Sequence, residues 1–306
     1  MLHTYSLNDL SLERTWLTIG VFDGIHCGHQ EMIRALVREA KENDATSLVI
    51  SFYPHPAAVL GKRRDVKYLT LPEEKAEILA KMGVGVLLTH PFDTEITDLS
   101  AETFISNLQA KLKLKKLLMG YDFALGKNRQ GDAKYLSKLG ERDGYTVQTF
   151  SPISDEIGII SSSRVRDALV DGKVRDAHQL LGHPYTLTGS VIRGDGRGRK
   201  INIPTANLEF PDEKIVPLNG VYACWASVQG EKYPAVTNIG IRPTFTPDKE
   251  RANIETHILD FEKDIYREKL KLEFISRLRD EKKFASVDEL LSQISLDIKK
   301  AQETLI

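Results

Sequence analysis

Residues 16–37 read WLTIGVFDGIHCGHQEMIRALV, an apolar run that stops at a glycine-punctuated turn and restarts with helical spacing. A short continuous apolar run next to a turn reads as a strand buried on both faces. The helical pattern that follows covers 29–42. The alternation recurs as far as about Phe150: SLVISFY, VGVLLT, KKLLMG and YTVQTF read as further strands, and 72–82, 101–112 and 132–142 as periodic helical segments. Thr70 is available to cap the helix at 72–82, and Pro72 suits its first turn. Buried strands separated by amphipathic helices predict a doubly wound, Rossmann-like α/β domain.

The pattern changes after GHPY at 182–185. YTLTGSVIRG, GVYACWASVQ, EKYPAVTNIG, NIETHILDF and LKLEFISRL follow one another as strand-like runs without long helices between them. Antiparallel neighbours with glycine and proline turns predict a small β-barrel. A terminal helix then packs on it, with Ser286 and Glu289 at capping-box spacing and Val287, Leu290, Leu291, Ile294, Ile298 and Ala301 on one face. Residues 163–185 read as two short helices broken at Gly172, which sets a boundary near residue 184 and domains of 1–184 and 185–306.

The 306 residues suffice for two cores. Hydrophobic residues at 41% and charged residues at 28% fit a soluble globular chain. A net charge of -1 supplies no general attraction to nucleic acid or membrane, so any affinity for anions must be local. Cys27 and Cys224 alone support neither a disulfide framework nor a multi-thiolate zinc site. The N-terminal residues lack a signal-peptide pattern, and no apolar stretch approaches the ~18 residues of a membrane span. A cytoplasmic protein is the expectation.

Gly20, Gly24 and Gly28 punctuate a turn between a strand's carboxyl end and a helix, the edge where open α/β sheets bind ligands. Glycines there let backbone amides approach a phosphate, the helix adds its positive end, and His26 and His29 can donate to phosphoryl oxygens. Zinc held by His-Cys-x-His is the rival reading, although the spacing is compressed and no further ligand cluster stands out. A structural role for the histidines also stays open, and Cys27 reads as a packing residue.

At 160–166, ISSSRVR leads into a helix, with Ser163 placed to cap and Arg164 and Arg166 on a first turn whose dipole disfavours cations. A bound polyphosphate would remove that conflict; a solvated basic helix start is the plainer alternative. At 194–207, GDGRGRKINIPTAN offers Gly194, Gly196 and Gly198 with Arg197, Arg199 and Lys200, a pattern that a basic hairpin also satisfies. On an extended segment Thr205 and Asn207 share a face and offer the oxygen ligands magnesium takes; a turn with a buried hydroxyl is the alternative.

GVFDGIHCGH, SFYPHP, GYDFALGKNRQGD and ISSSRVR, in that order, resemble the nucleotidyltransferase module of bacterial bifunctional riboflavin kinase/FAD synthetases over residues 15–184. The resemblance implies transfer of AMP from ATP to FMN with release of pyrophosphate. It implies an ATP phosphate site at Gly20, Phe22, Asp23, Gly24 and Gly28, with His26 and His29 as catalytic groups, and a second phosphate motif at Ser162, Ser163 and Arg164. It places Asp122, Phe123 and Arg129, with Gly131, near nucleotide and flavin, and gives Pro54, His55 and Pro56 to the flavin pocket; a stiff turn is the other reading of the two prolines.

PTAN, GVYA, NIGIRPTF and IETHILDF resemble the riboflavin kinase module of the same family over 183–303, whose fold is a six-stranded antiparallel barrel. That resemblance implies Mg2+-ATP at Thr205 and Asn207, with Gly196, Gly198 and Lys200 in the ATP loop, and Glu255 as the catalytic base for the ribityl 5'-hydroxyl. The implied partners are riboflavin, FMN, FAD and ATP, without nucleic acid or membrane, in a monomer or weak homo-oligomer. Val21, Leu125, Asn202 and Ile203 depart from the family's commonest residues. For Asn202 and Ile203, in place of a glycine and an aromatic, the expectation is altered kinase affinity with activity retained. A flavin-responsive regulator that binds without turnover is the alternative from another class.

Overall fold

The computed structural model describes every residue except 62–64, 195–197, 199, 200, 202, 243–250 and 306, together with the backbone alone at 242 and 251. Its contacts divide the chain into two compact units, Met1–Ser162 and Ser163–Ile306.

The first unit runs β1 (Leu2–Thr4), β2 (Thr15–Gly20), α1 (Cys27–Glu42), β3 (Thr46–Tyr53), α2 (Pro56–Val59), α3 (Pro72–Lys81), β4 (Val86–Pro91), α4 (Thr94–Asp98), α5 (Ala101–Leu112), β5 (Leu114–Gly120), α6 (Ala133–Asp143) and β6 (Thr146–Phe150). The strands form one parallel sheet in the order β1-β4-β3-β2-β5-β6. Leu17 and Ile19 of β2 join the core made with α5 and α6, while Trp16 joins the core made with α1 and α3. Burial on both faces explains why the run at 16–22 does not alternate.

The chain leaves β2 toward β3 and leaves β5 toward β6, in opposite directions across the sheet. The crevice between the carboxyl ends of β2 and β5 is therefore the switch point, the place where such sheets hold ligands. Thr18 and Leu118 are register partners, so the segments after Gly20 and Gly120 leave the sheet side by side.

Three local features differ from expectation. The edge strand β1 has three residues, too few for periodicity to show. Helix α1 starts at Cys27, two residues ahead of the periodic segment. The N-cap of α3 is Leu71, whose N–H donates to Glu74 at 2.9 Å, which frees Thr70 for the loop described below.

The second unit takes in α7 (Ser162–Val170, which begins on the last residue of the first unit), α8 (Val174–Leu181), β7 (Tyr185–Ile192), β8 (Ala206–Glu209), β9 (Gly220–Val228), β10 (Glu231–Arg242), β11 (Arg251–Ile258), β12 (Lys269–Arg279) and α9 (Val287–Leu305). Because α7 starts at Ser162, Ser163 stands inside the first turn and not at the cap. The six strands close into an antiparallel barrel in the order β10-β11-β8-β7-β12-β9. Its sixth strand, β8, is four residues within PTANLE and too short to alternate visibly. The Leu218 N–H donates to the Leu169 carbonyl at 3.0 Å, and Gly172, at φ 73°, separates α7 from α8.

Helix α9 is capped as its sequence requires: Ser286 Oγ accepts the Glu289 N–H at 3.2 Å and the Glu289 carboxylate accepts the Ala285 N–H at 3.1 Å. Ala301 and Leu305 pack with Val221, Ala223 and Val236 of the barrel. Val287, expected on the packed face, is 56% exposed, whereas Asp297 is buried. The Asp297 carboxylate receives Arg279 Nε at 3.0 Å and Nη2 at 2.7 Å, so the helix is pinned by a two-pronged ion pair. No helix among the described residues is long and apolar enough to cross a membrane.

Candidate active sites

The loop after β2 turns sharply, with Phe22, Gly24 and Ile25 at φ 48°, 82° and 43°. Two of these are not glycine, a backbone state that costs roughly 1–2 kcal/mol per residue and needs outside support. Asp23 is the first tether. It is 2% exposed, and its carboxylate accepts the N–H groups of Leu69 at 3.0 Å and Thr70 at 2.9 Å. Thr70 Oγ1 in turn accepts the Gly24 N–H at 2.9 Å. On the other side the Val21 carbonyl accepts Ser51 Oγ at 2.9 Å and Lys75 Nζ at 2.7 Å. Ser162 Oγ donates to the Asp23 carbonyl at 2.8 Å, which brings the start of the second motif onto the first.

The glycines in this loop are needed for space. A Cβ on Gly20 would stand 3.0 Å from the Phe22 ring, and one on Gly28 would stand 3.2 Å from the His26 ring. Helix α1 has no side-chain cap hydrogen bond from its N-cap His26 and no acidic residue in its first turn.

His26 and His29 lie one turn apart and stack, with ring centroids 3.7 Å apart and planes at 21°. Burial pushes the His26 imidazole down to about 4 against the pull of Asp23. His29 is held well below its ordinary value by burial, with His26 and Lys75 adding to the effect. Both rings are neutral at pH 7, and the Nδ1 atoms of both are buried without a hydrogen-bond partner. An anion placed beside them would raise both values. Among the described residues no three His, Cys, Asp or Glu side chains converge in a metal-holding group.

The segment after β5 brings Asp122 and Phe123 to the crevice mouth. Arg129 Nη2 donates to the Asp122 carbonyl at 2.6 Å, and Phe123 packs against the core. Leu125 and Gly131 exchange backbone hydrogen bonds of 3.1 and 2.9 Å, which closes the loop between them. Gly126 and Gly131 serve packing here: a Cβ on either would lie within 2.6 Å of Ala101 at the start of α5. After β3, His55 Nδ1 accepts the Ala57 N–H at 3.0 Å and the Tyr68 hydroxyl accepts the His55 N–H at 2.6 Å. Pro54, His55 and Pro56 thus form a capped, stiff turn at the same edge of the sheet.

In the barrel, Asn207 of β8 is the register partner of Glu255 of β11, and Thr205 immediately precedes β8. Asn253 Nδ2 donates to Glu255 Oε1 at 2.8 Å and fixes one carboxylate oxygen. Gly194 lies against Asn207, where a Cβ would meet the amide at 2.3 Å, and Gly198 lies against the Ile203 carbonyl, where a Cβ would meet it at 2.2 Å. Gly196, Lys200, Arg197, Arg199 and Asn202 lie outside the described residues. Two cavities flank this strand. One, of about 620 Å³, is lined by Val191, Pro204, Thr256, Lys263 and Tyr266 among others. The second, of about 360 Å³, has Glu255 beside apolar Ile203, Val236, Phe284, Leu290 and Ile294. Thr205 lines both. Thr205 and Asn207 offer neutral oxygens, a donor type that suits a hard cation kept partly by water and phosphate.

A family model described as FAD synthetase matches residues 9–164, and one described as riboflavin kinase matches 181–305. The chain belongs to the bifunctional riboflavin kinase/FMN adenylyltransferase family. It is 37% identical to the protein of that name from Listeria monocytogenes over 92% of this chain and 89% of the relative. The Bacillus subtilis relative is 37% identical and the Escherichia coli K12 relative 36% identical, each over 98% of this chain and 95% of its own. A crystal structure titled as a macrolide-efflux protein from Streptococcus pneumoniae superposes with a TM-score of 0.89 at 32% identity over 98% of both chains. Members of the two matched families use ATP, and this chain is an enzyme with riboflavin kinase and FMN adenylyltransferase activities that lead from riboflavin through FMN to FAD.

Sequence reasoning missed Ser51, Thr70, Lys75 and Asn253. Ser51 opens SFYPHP without that motif giving it a role; Ser51, Thr70 and Lys75 are identified by contacts with distant segments, and Asn253 by the i,i+2 spacing on β11 that puts it on the Glu255 face.

Proposed function

We propose that the barrel, within 185–306, phosphorylates riboflavin, and that the α/β unit, within 1–184, adenylylates the FMN formed. The observation that carries the kinase assignment is Thr205 in the wall common to two cavities, with Glu255 in the smaller one. The apolar face of the smaller cavity suits an isoalloxazine ring, and the larger one suits a nucleotide. Glu255, steadied by Asn253, takes the proton of the ribityl 5'-hydroxyl as its oxygen attacks the γ-phosphorus and the bond to the β-phosphate oxygen breaks, leaving ADP. Thr205 and Asn207 would hold a magnesium ion, which neutralises polyphosphate charge when bound. Gly196, Gly198 and Lys200 belong to the ATP loop on this reading.

In the α/β unit an FMN phosphate oxygen attacks the α-phosphorus of a second ATP and pyrophosphate leaves. The FMN phosphate is already ionised near pH 7, so this step needs placement and charge stabilisation more than a base. His26, His29 and the first turn of α1 hold the polyphosphate, and Ser163 and Arg164 belong to the second phosphate motif on this reading. Asp23 and Ser162 contribute by fixing the loop, since their side chains are engaged with backbone groups. Asp122, Phe123, Arg129 and the capped turn at Pro54–Pro56 border the flavin.

A single copy carries a site in each unit, so a monomer or weak homo-oligomer suffices, and two distant free cysteines suit the reducing cytoplasm. Chromatography of an incubation with riboflavin and Mg2+-ATP tests the proposal. FMN should form first and FAD after it. Riboflavin recovered unchanged would sink the kinase assignment, and FMN that accumulates without FAD would sink the adenylyltransferase one.

A further inference from the structure

Lys75 lies on α3, in a helix whose pattern reads as an ordinary amphipathic one, yet it is only 5% exposed. Its Nζ donates to the Val21 carbonyl at 2.7 Å and to Ser51 Oγ at 2.6 Å, and Ser51 Oγ donates to the same carbonyl at 2.9 Å. Both acceptors are neutral oxygens. A buried ammonium held by neutral groups is costly to keep, and a purely structural clamp on a carbonyl could be made by an uncharged donor. The placement gives the charge a purpose. Lys75 grips the residue just ahead of the left-handed turns at Phe22, Gly24 and Ile25, and it is close enough to His29 to act on it electrostatically.

We infer that Lys75 is a positioning residue for adenylyl transfer: it locks the Val21 peptide that sets the loop's left-handed turns, and it supplies fixed positive charge behind the two stacked imidazoles. The inference rests on reading that loop as the ATP phosphate site. Burial holds the Lys75 ammonium at about 8, against the opposing effect of Asp23. The titratable groups that face it are Asp23 from the loop, His29 with His26 beside it on α1, and His3 on β1; Glu73 and Glu74 flank it on α3. All three histidines are pushed below their ordinary value, away from the alkaline range. Lys75 is charged below pH 8 and loses its charge above it, so the effect weakens as pH rises. Bound polyphosphate stabilises the charged form and moves the loss to higher pH.

The experiment measures FAD formation from FMN at pH 6.5–10, with riboflavin kinase activity followed in the same samples. In the natural protein kcat/KM for ATP should fall above about pH 8 while kcat falls later. Lys75→Met should raise KM for ATP about ten- to a hundredfold at pH 7.5, as expected for loss of a buried charged hydrogen-bond donor, and should abolish the alkaline fall. Ser51→Ala, the milder change, should raise KM severalfold and keep that fall. Kinase activity should be unchanged in both variants. A flat alkaline profile in the natural protein, an unchanged KM for ATP in Lys75→Met, or an equal loss of both activities would overturn the inference. If His29→Ala also leaves KM for ATP unchanged, the error lies in the phosphate-site reading; if His29→Ala raises it and Lys75→Met does not, the error lies with Lys75.

Discussion

His26 shows how a side chain can be legible in sequence while its protonation state is set by its neighbours. Its position after the glycine turn suggested a phosphate donor, while its burial makes it a neutral ring with an unpartnered nitrogen. That neutrality has a pH signature. The group sits near 6.5 in an unfolded chain and at about 4 in the folded one, so between these values the unfolded state binds more protons. Stability contributed by His26 is complete above pH 6.5 and is lost as pH falls toward 4. Acidification from pH 7 to 4.5 should cost on the order of 2 kcal/mol through this residue, read as a lower unfolding midpoint in urea. His26→Gln should lack that part of the slope, and an identical slope in both proteins would count against the assignment. Saturating ATP should lessen the slope in the natural protein.

At the scale of elements, α9 does more than cover the barrel. Leu290 and Ile294 line the smaller cavity, and Arg279 and Asp297, which join helix to barrel, line it too. The seat of the helix therefore sets one wall of that cavity. Asp297→Ala leaves a partly buried guanidinium without its carboxylate; with Arg279 still reached by water, the loss should be about 2 kcal/mol. The same variant should raise KM for riboflavin more than KM for ATP, in steady-state assays with each substrate varied. Equal changes in both would separate the helix from the flavin wall. Periodicity located α9, and its capping residues fixed its start. Its exposed Val287 and buried Asp297 reverse the simple polar-out rule, because an ion pair with Arg279 replaces water at that position.

At the scale of the whole molecule, two folds in one chain carry out consecutive transfers, and each unit closes its own core. The activities should be separable by single substitutions. His29→Ala should leave FMN formation from riboflavin at its natural rate and lower FAD formation at least a hundredfold, roughly the loss seen when a positioned charge-stabilising group is removed. Glu255→Ala should do the reverse: FMN formation falls about a hundredfold or more, the usual contribution of a general base, while FAD still forms from added FMN. Loss of both activities in either variant would contradict two independent sites.

The sequence by itself determined the two fold classes, the order of all but the shortest strands, and the segments proposed for each site. It could do so because buried runs, helical spacing and glycine turns are local patterns, and because motifs such as GVFDGIHCGH and PTAN are contiguous. Tertiary structure alone decided what those segments do to one another. Thr70, an apparent helix cap, clasps the loop at Gly24. Gly126 and Gly131 make room for Ala101. Lys75, from a helix more than forty residues away, holds the Val21 carbonyl. Hydrogen-bond partners and the burial that displaces a histidine or lysine from its ordinary protonation are properties of neighbours in space, and no spacing along the chain encodes them.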